Sequence, residues 1–157
     1  MYRFTDQNNY PVTMAFERGA FGQTPSHVLV LCRGEHFWLL TKHKVRGLEC
    51  PGGKKEPNET LEEAAHREVE EETGAVISGL HFIGEYYVQA PEQPFLKAVF
   101  FAHVTDIKKK CDYLETEGPY FEELDLLQAR FSDHYSFLMK DEMIALALSE
   151  AGRKGLV

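Results

Sequence analysis

Cysteine is scarce in this chain, whose 157 residues contain only three, at positions 32, 50 and 111. Their number is odd and their positions are scattered, so they do not form the paired framework of a disulfide-stabilised protein. We therefore expect Cys32, Cys50 and Cys111 to be free thiols in a reducing compartment.

Long apolar segments are also missing. No apolar run is long enough to cross a bilayer, and the first ten residues lack the basic start and apolar stretch of a signal peptide. Internal repeats, low-complexity tracts and linkers are absent as well. We expect a cytoplasmic protein without membrane contacts, folded as a single domain over residues 1–157, with 43% apolar and 12% aromatic residues to form its core.

The chain also lacks an excess of positive charge, since its formal net charge is −8. This acidity argues against broad, non-specific nucleic-acid binding, and we expect no stable DNA binding. The basic residues nevertheless cluster between positions 42 and 55. A basic rim beside an acidic site suits a polyphosphate, so Lys42, Arg46 and Lys54 are candidate substrate-binding residues. The alternative is an ordinary solvated strand and loop.

A helix is predicted to begin at Thr60 and to end before Gly74. Thr60 followed three residues later by Glu63 forms a capping box, and Gly74 can adopt the positive φ of a helix stop. Leu61, Ala64 and Ala65 fall on one stripe with Val69 at its edge, which predicts an apolar face that packs closely on the rest of the fold.

Three glutamates of this helix are predicted to form a metal site. Glu68, Glu71 and Glu72 are spaced i, i+3 and i+4, so their carboxylates are neighbours and continue the apolar side of the helix. Oxygen ligands without His or Cys suit Mg²⁺ or Mn²⁺. Gly52 and Gly53, in the turn before the helix, allow close backbone approach, so a loop carbonyl can join the site. The alternative is a solvated, glutamate-rich helix.

The spacing of this segment resembles a known family motif. Its fixed points match the Nudix box over residues 53–75, with Ala75 in place of the usual larger aliphatic residue: Gly53, Glu59, Arg67, Glu68, Val69, Glu71, Glu72 and Gly74. The chain resembles Nudix hydrolases, and more narrowly those of the MutT/YtkD type. The resemblance is sharp over residues 51–76 and looser elsewhere.

The resemblance implies an enzyme that hydrolyses phosphoric anhydride bonds with a divalent ion. Glu68, Glu71, Glu72 and the Gly52 carbonyl would hold the metal, and Arg67 would orient the glutamates, with Glu59 tying it to the loop. A glutamate outside the box often completes such sites. The loop 113–119 offers Glu115 first and Glu117 second, with Glu68 as the other candidate base.

The resemblance also sets the candidate substrates. A nucleoside triphosphate cleaved to NMP and pyrophosphate leads, with 8-oxo-dGTP as the expected substrate and removal of oxidised nucleotides from the pool as the role. The 5′ end of triphosphorylated RNA is the alternative that uses the same metal site. ADP-ribose or another dinucleotide is a further alternative, suggested weakly by Pro91, 16 residues after Ala75. A non-catalytic nucleotide sensor is disfavoured because no box glutamate is lost.

Strands dominate the remaining pattern, which together with the resemblance predicts an α/β fold of the Nudix type. This is an α/β/α sandwich with a mixed sheet and a loop-helix-loop catalytic motif. Besides the box helix, a second helix is predicted over 138–151, ended by Gly152. Strands are predicted over 2–5, 12–17, 27–32, 36–41, 47–50, 76–88, 95–104 and 120–123. Candidate surfaces for base stacking are Phe37, Trp38, Tyr86, Tyr87 and Phe137, although aromatic residues in such positions are more often part of the core.

Overall fold

Nine strands and three α-helices make up the computed structural model, which describes residues 1–157. The strands are β1 (Tyr2–Thr5), β2 (Pro11–Ala15), β3 (His27–Arg33), β4 (Trp38–His43), β5 (Gly47–Glu49), β6 (Gly52–Lys54), β7 (Ala75–Val88), β8 (Phe95–Ile107) and β9 (Thr116–Glu122). The helices are α1 (Leu61–Thr73), α2 (Leu126–Ala129) and α3 (Glu142–Arg153), and a 3-10 turn lies at Phe137–Lys140. None of these helices has the length and apolar character needed to span a membrane.

All nine strands belong to one mixed sheet. The main order is β1-β2-β7-β8-β3-β4-β5, while β6 pairs with β3 and β9 pairs with β4. The central β3 and β8 are parallel, and the other pairs are antiparallel. The short β6 thus brings the glycine turn alongside the middle of the sheet.

Both faces of the sheet are covered, which confirms the predicted α/β/α sandwich. On one face α1 packs Ala64, Ala65 and Val69 against Val28 and Phe100. On the other face α3 buries its apolar stripe with residues such as Leu31 and Phe101: Met143, Ile144, Ala147 and Ala151. Small residues on α1 let its backbone lie close to the sheet, which positions the box glutamates beside β6.

Several element boundaries differ from the sequence-based prediction. The region predicted as one helix over 138–151 is a 3-10 turn followed by α3, because Asp141 between them has an extended backbone (φ −70°, ψ 151°). Gly152 does not end α3, which runs to Arg153, and the positive φ of 73° occurs at Gly155 instead. β9 begins at Thr116, earlier than predicted, since its pairing with β4 extends past Pro119 to His43.

Candidate active site

The box helix α1 is fixed at both ends as its sequence predicts. The Glu63 N–H donates to Thr60 Oγ1 at 3.0 Å, and the Thr60 N–H donates to Glu63 Oε1 at 2.9 Å. At the other end Gly74 has a φ of 75°, and its N–H donates to the Glu70 carbonyl at 2.8 Å. Both caps fix the register of the helix and therefore the direction in which its glutamates point.

Two glycines let the preceding turn approach both the sheet and the helix. A Cβ on Gly52 would lie 2.2 Å from the Val28 carbonyl oxygen, and a Cβ on Gly53 would lie 2.6 Å from the Glu68 carboxyl carbon. The backbone of β6 therefore runs directly against the carboxylates of α1. Any larger residue at Gly53 would occupy the space beside the Glu68 carboxylate.

Arg67 connects the loop to the glutamates of the helix. Its Nε and Nη2 donate to the two oxygens of Glu59 at 2.5 and 2.9 Å, and Nη2 also donates to the Lys54 carbonyl at 3.1 Å. Its Nη1 donates to Glu68 at 2.9 Å and to Glu71 at 3.2 Å. The hydrogen bonds from Arg67 lower the pKa of the Glu59 carboxyl to about 2. Arg67 thus orients two helix carboxylates while it is itself held by Glu59.

Burial and crowding of acids shape the electrostatics of this cluster. Glu72 Oε1 accepts a hydrogen bond from the Gly52 N–H at 2.8 Å, yet burial, helped by Glu68, Glu49 and Glu115, raises the pKa of Glu72 to about 8. Burial also raises the pKa of Glu68, although Arg67 opposes this effect. A set of half-buried carboxylates with raised pKa values is favourable for a bound cation, which would stabilise their charged forms.

The donor set fits a hard divalent ion. The turn brings Gly53 beside the Glu68 carboxylate and Gly52 beside Glu72, and the side-chain donors of the cluster are all oxygens. As the side chains stand, no three acidic, His or Cys residues form a ready metal cage. Glu68 and Glu71 are hydrogen bonded to Arg67 and Glu72 to the turn, so small side-chain rotations would accompany metal binding.

Two cavities meet at this cluster. One is a polar groove of about 530 Å³ lined by Lys54, Lys55, Arg67 and other box residues. The other, called the apolar cavity, has a volume of about 350 Å³ and lies on the α3 side of the sheet. Its aromatic and aliphatic walls also carry charged side chains such as Glu49, Lys97 and Asp141. Both share four lining residues: Gly52, Gly53, Glu72 and Glu115. An elongated ligand can therefore lie across the carboxylates with a polar end in the groove and an apolar end in the cavity.

The predicted residues outside α1 occupy different positions relative to these cavities. Glu115 lines both, whereas Glu117 lines neither and pairs with Lys42 at 3.4 Å. Lys54 lines the polar groove. Arg46 lines the apolar cavity, but its guanidinium is bonded to both Glu49 oxygens at 2.6 and 3.0 Å. The structure thus brings Glu115 and Lys54 to the cluster and leaves Lys42 on the exposed surface.

Only one of the five candidate stacking residues lines the apolar cavity, and that is Tyr86. Phe37 packs edge-on against Phe121, and Trp38 is buried against Phe101. Tyr87 stacks on Phe21, and Phe137 is 40% exposed outside the cavity. The interpretation of these four as base-stacking residues is therefore not supported by their positions.

Several polar residues of the cavity are absent from the sequence-based candidates, and three of them are notable. Lys97 is the third residue of β8, in the apolar first part of that strand, and His27 begins β3. A single lysine inside a strand as apolar as 95–104 is a signal that sequence reasoning could have used. Asp141 also lines the cavity, and burial raises the pKa of its carboxyl to about 6.

Comparison with known proteins gives one family. The NUDIX domain model matches residues 22–140. A Bacillus subtilis protein named YtkD, described as a candidate 8-oxo-dGTP diphosphatase, is 42% identical over 158 residues that cover 100% of this chain and 99% of that protein.

Solved structures agree with this match. A crystal structure of a mutant of the Bacillus subtilis pyrophosphohydrolase BsRppH superposes with a TM-score of 0.94 at 39% identity, covering 99% of this chain and 98% of that one. A Nudix hydrolase from Nitrosomonas europaea shares the fold, with a TM-score of 0.67 at 19% identity over 84% of this chain and 90% of its own. The chain belongs to the Nudix family and is a hydrolase of phosphoric anhydride bonds in nucleotides.

Proposed function

We propose that the chain is a Mg²⁺-dependent nucleoside triphosphate pyrophosphohydrolase, active also with Mn²⁺, that releases NMP and pyrophosphate. The observation that carries the proposal is the meeting of a polar groove and an aromatic cavity at Gly52, Gly53, Glu72 and Glu115. A triphosphate would occupy the groove, and its nucleoside would occupy the cavity. The described activity of the 42% identical relative supports 8-oxo-dGTP as the substrate, and thus nucleotide-pool sanitation as the role.

In this proposal the Gly52 carbonyl and the carboxylates of Glu68, Glu71 and Glu72 hold the divalent ion. When bound, the ion neutralises the phosphate bridge and makes the attacking water more acidic. Arg67 keeps Glu68 and Glu71 oriented through its bonds at 2.9 and 3.2 Å, so it is a positioning residue. Like carboxylates three and four residues apart repel each other, and Arg67 offsets part of this repulsion.

A carboxylate must also accept the proton of the attacking water. Glu115 is the first candidate because it lies on the loop before β9 and faces both cavities. Glu68 is the second, since burial raises the pKa of its carboxyl and so strengthens it as a base. Glu115→Gln and Glu68→Gln variants separate them, because loss of the base lowers kcat and removes the acidic limb of its pH profile.

Substrate contacts follow from the two compartments. Lys54 is the proposed phosphate ligand in the groove. Arg46 would contact substrate only by leaving its bidentate bond to Glu49, and Lys42 only by leaving Glu117, so we expect both to act at the rim. Tyr86 and Met139, both buried in the cavity wall, would contact the base.

A triphosphorylated RNA 5′ end is the second candidate substrate. It would use the same metal cluster, and the similarity to the pyrophosphohydrolase BsRppH favours it. The net charge of −8 limits this candidate to contacts with a short 5′ end. In either case we propose that residues 1–157 act as one Nudix domain in the cytoplasm, where the three free cysteines would stay reduced.

A substrate panel tests the proposal. The purified chain is incubated with Mg²⁺ and 8-oxo-dGTP, dGTP, ADP-ribose or a triphosphorylated oligonucleotide, and products are identified by chromatography. The proposal predicts the highest kcat/KM with 8-oxo-dGTP, with monophosphate and pyrophosphate as products. A preference for the oligonucleotide would assign the second candidate, and cleavage of ADP-ribose alone would contradict both.

A further inference from the structure

Four side chains form a row across the face of the sheet that α3 covers. Tyr86 on β7 is opposite Lys97 on β8, Lys97 is opposite His27 on β3, and His27 is opposite Lys54 on β6. Directly opposed residues point to the same face, and strands lie about 4.8 Å apart, so the row spans about 14 Å. It connects the aromatic end of the cavity with the glycine turn of the carboxylate cluster.

Lys97 is the member of this row that lacks a partner in the chain. Its side chain is half-buried, and Nζ lies 5.8 Å from the centroid of the Tyr86 ring and 5.7 Å from that of Phe95. It forms neither a hydrogen bond nor an ion pair, and burial is the main reason that the pKa of Lys97 is lowered.

Two acids act electrostatically on Lys97, and each already accepts a hydrogen bond from another group, while Asp141 Oδ2 has no partner. Glu49 accepts two hydrogen bonds from Arg46, and Asp141 Oδ1 accepts the Gln7 N–H at 2.9 Å. An ammonium drawn into a cavity without an anionic partner is unfavourable unless a ligand supplies one. An anionic group of a ligand that enters the cavity would supply this partner.

We propose that the Lys97 ammonium binds the phosphate that remains on the nucleotide product, the first phosphate next to the sugar. The inference rests on the proposed function. Lys97 stands between Tyr86, where the base would lie, and Lys54, which lines the groove for the departing phosphates. The first phosphate after the nucleoside is the group that would fall at this place in the row. Lys97 thereby makes the cavity specific for nucleotides over nucleosides.

A packing role is the competing explanation, because the aliphatic stem of lysine can cover aromatic rings while its charge interacts with their faces. The two roles differ in what they do to a ligand without phosphate. Loss of packing weakens binding of nucleoside and nucleotide alike. Loss of a phosphate contact weakens the nucleotide alone.

Calorimetry with dGMP and 2′-deoxyguanosine separates these roles. Dissociation constants are measured in Mg²⁺ for the wild-type chain, for Lys97→Met, which keeps the length of the side chain, and for Lys97→Arg, which keeps its charge. Lys109→Met is the matched control, since Lys109 is exposed just beyond the far end of β8. Melting temperatures of all variants verify that they fold.

We expect wild type, Lys97→Arg and Lys109→Met to bind dGMP at least about 10-fold more tightly than the nucleoside, the range of a charge-assisted hydrogen bond. In Lys97→Met this ratio should fall toward one, with nucleoside affinity and inhibition by pyrophosphate unchanged. A wild-type ratio near one, an unchanged ratio in Lys97→Met, or equal weakening of both ligands would each overturn the inference.

These outcomes are distinct from failure of the proposed function. If no triphosphate in the substrate panel is hydrolysed but the dGMP preference depends on Lys97, then the hydrolase assignment fails and the phosphate site stands. If hydrolysis proceeds and the preference is independent of Lys97, then only the phosphate site is rejected.

Discussion

Replacement of Gly53 by alanine should separate activity from stability. The added Cβ would lie 2.6 Å from the Glu68 carboxyl carbon and 2.7 Å from both of its oxygens. Carbon atoms in contact are normally about 3.5 Å apart, so the carboxylate must move by about 0.9 Å. The backbone need not change, because Gly53 does not have a positive φ and the obstructing atoms are the end of a flexible side chain.

The expected result is a large loss of turnover in a folded protein. Misplacement of a catalytic group by about 1 Å costs on the order of 100-fold in rate, so we predict that kcat for the preferred triphosphate falls 10- to 100-fold, as an order of magnitude. The free energy of unfolding should change by no more than about 1 kcal/mol. Steady-state kinetics in saturating Mg²⁺ and urea denaturation measure the two quantities on the same preparation.

Gly152→Ala is the matched control. Gly152 lies inside α3, and a Cβ there meets nothing within 4 Å. Alanine is favoured over glycine within a helix, so this variant should be more stable by about 0.5–1 kcal/mol with unchanged kcat. If Gly53→Ala keeps wild-type kcat, or if its activity falls only in proportion to unfolding, then the argument that Gly53 makes room for a catalytic Glu68 carboxylate is refuted.

Three further predictions concern individual carboxylates. Glu71→Gln should lower Mg²⁺-dependent turnover about 100-fold, whereas Glu70→Gln, on the exposed side of the same helix, should stay within about twofold of wild type in the same assay. Glu85 is 1% exposed, and its Oε2 accepts a hydrogen bond from the Gly19 N–H at 3.0 Å while its Oε1 has no partner. Because Glu85→Gln removes a buried carboxylate, it should raise the free energy of unfolding, measured by urea titration, by about 1 kcal/mol. A loss of stability would contradict this prediction. Burial raises the pKa of Asp141 from 3.8 to about 6, so the folded state binds the proton more tightly than the unfolded state does. The free energy of unfolding should therefore fall as pH rises from about 4 to 6, and Asp141→Asn should lack this decline. Equal pH profiles of stability for the two proteins would refute this prediction.

The box could be predicted from sequence because its determinants are local. Capping residues three apart and a glycine stop fix one helix, and residues 68, 71 and 72 then fall together by helical geometry alone. The bonds of Arg67 to Glu59 and to two helix carboxylates follow from the same short segment. No knowledge of the rest of the fold is needed for this part of the site.

The cavity on the α3 side could not be predicted in the same way. Its row of Tyr86, Lys97, His27 and Lys54 depends on the pairing of β8 with β3, which are separated by about 70 residues, and on the register shifts within β7. A one-residue change of register would turn these side chains to the other face. The positions of the aromatic candidates could not be predicted for the same reason, since burial of Trp38 or exposure of Phe137 is decided by packing between distant elements.

The most direct measurement of the central claim is the location of a divalent ion in a crystal of the full chain. Crystals grown with Mn²⁺ and a non-hydrolysable triphosphate analogue would be measured for anomalous scattering from manganese. We predict a peak about 2.0–2.4 Å from the Gly52 carbonyl oxygen and from carboxylate oxygens of the Glu68, Glu71 and Glu72 side chains, with the phosphate chain beside it. A peak elsewhere, or none while the analogue is bound, would contradict it.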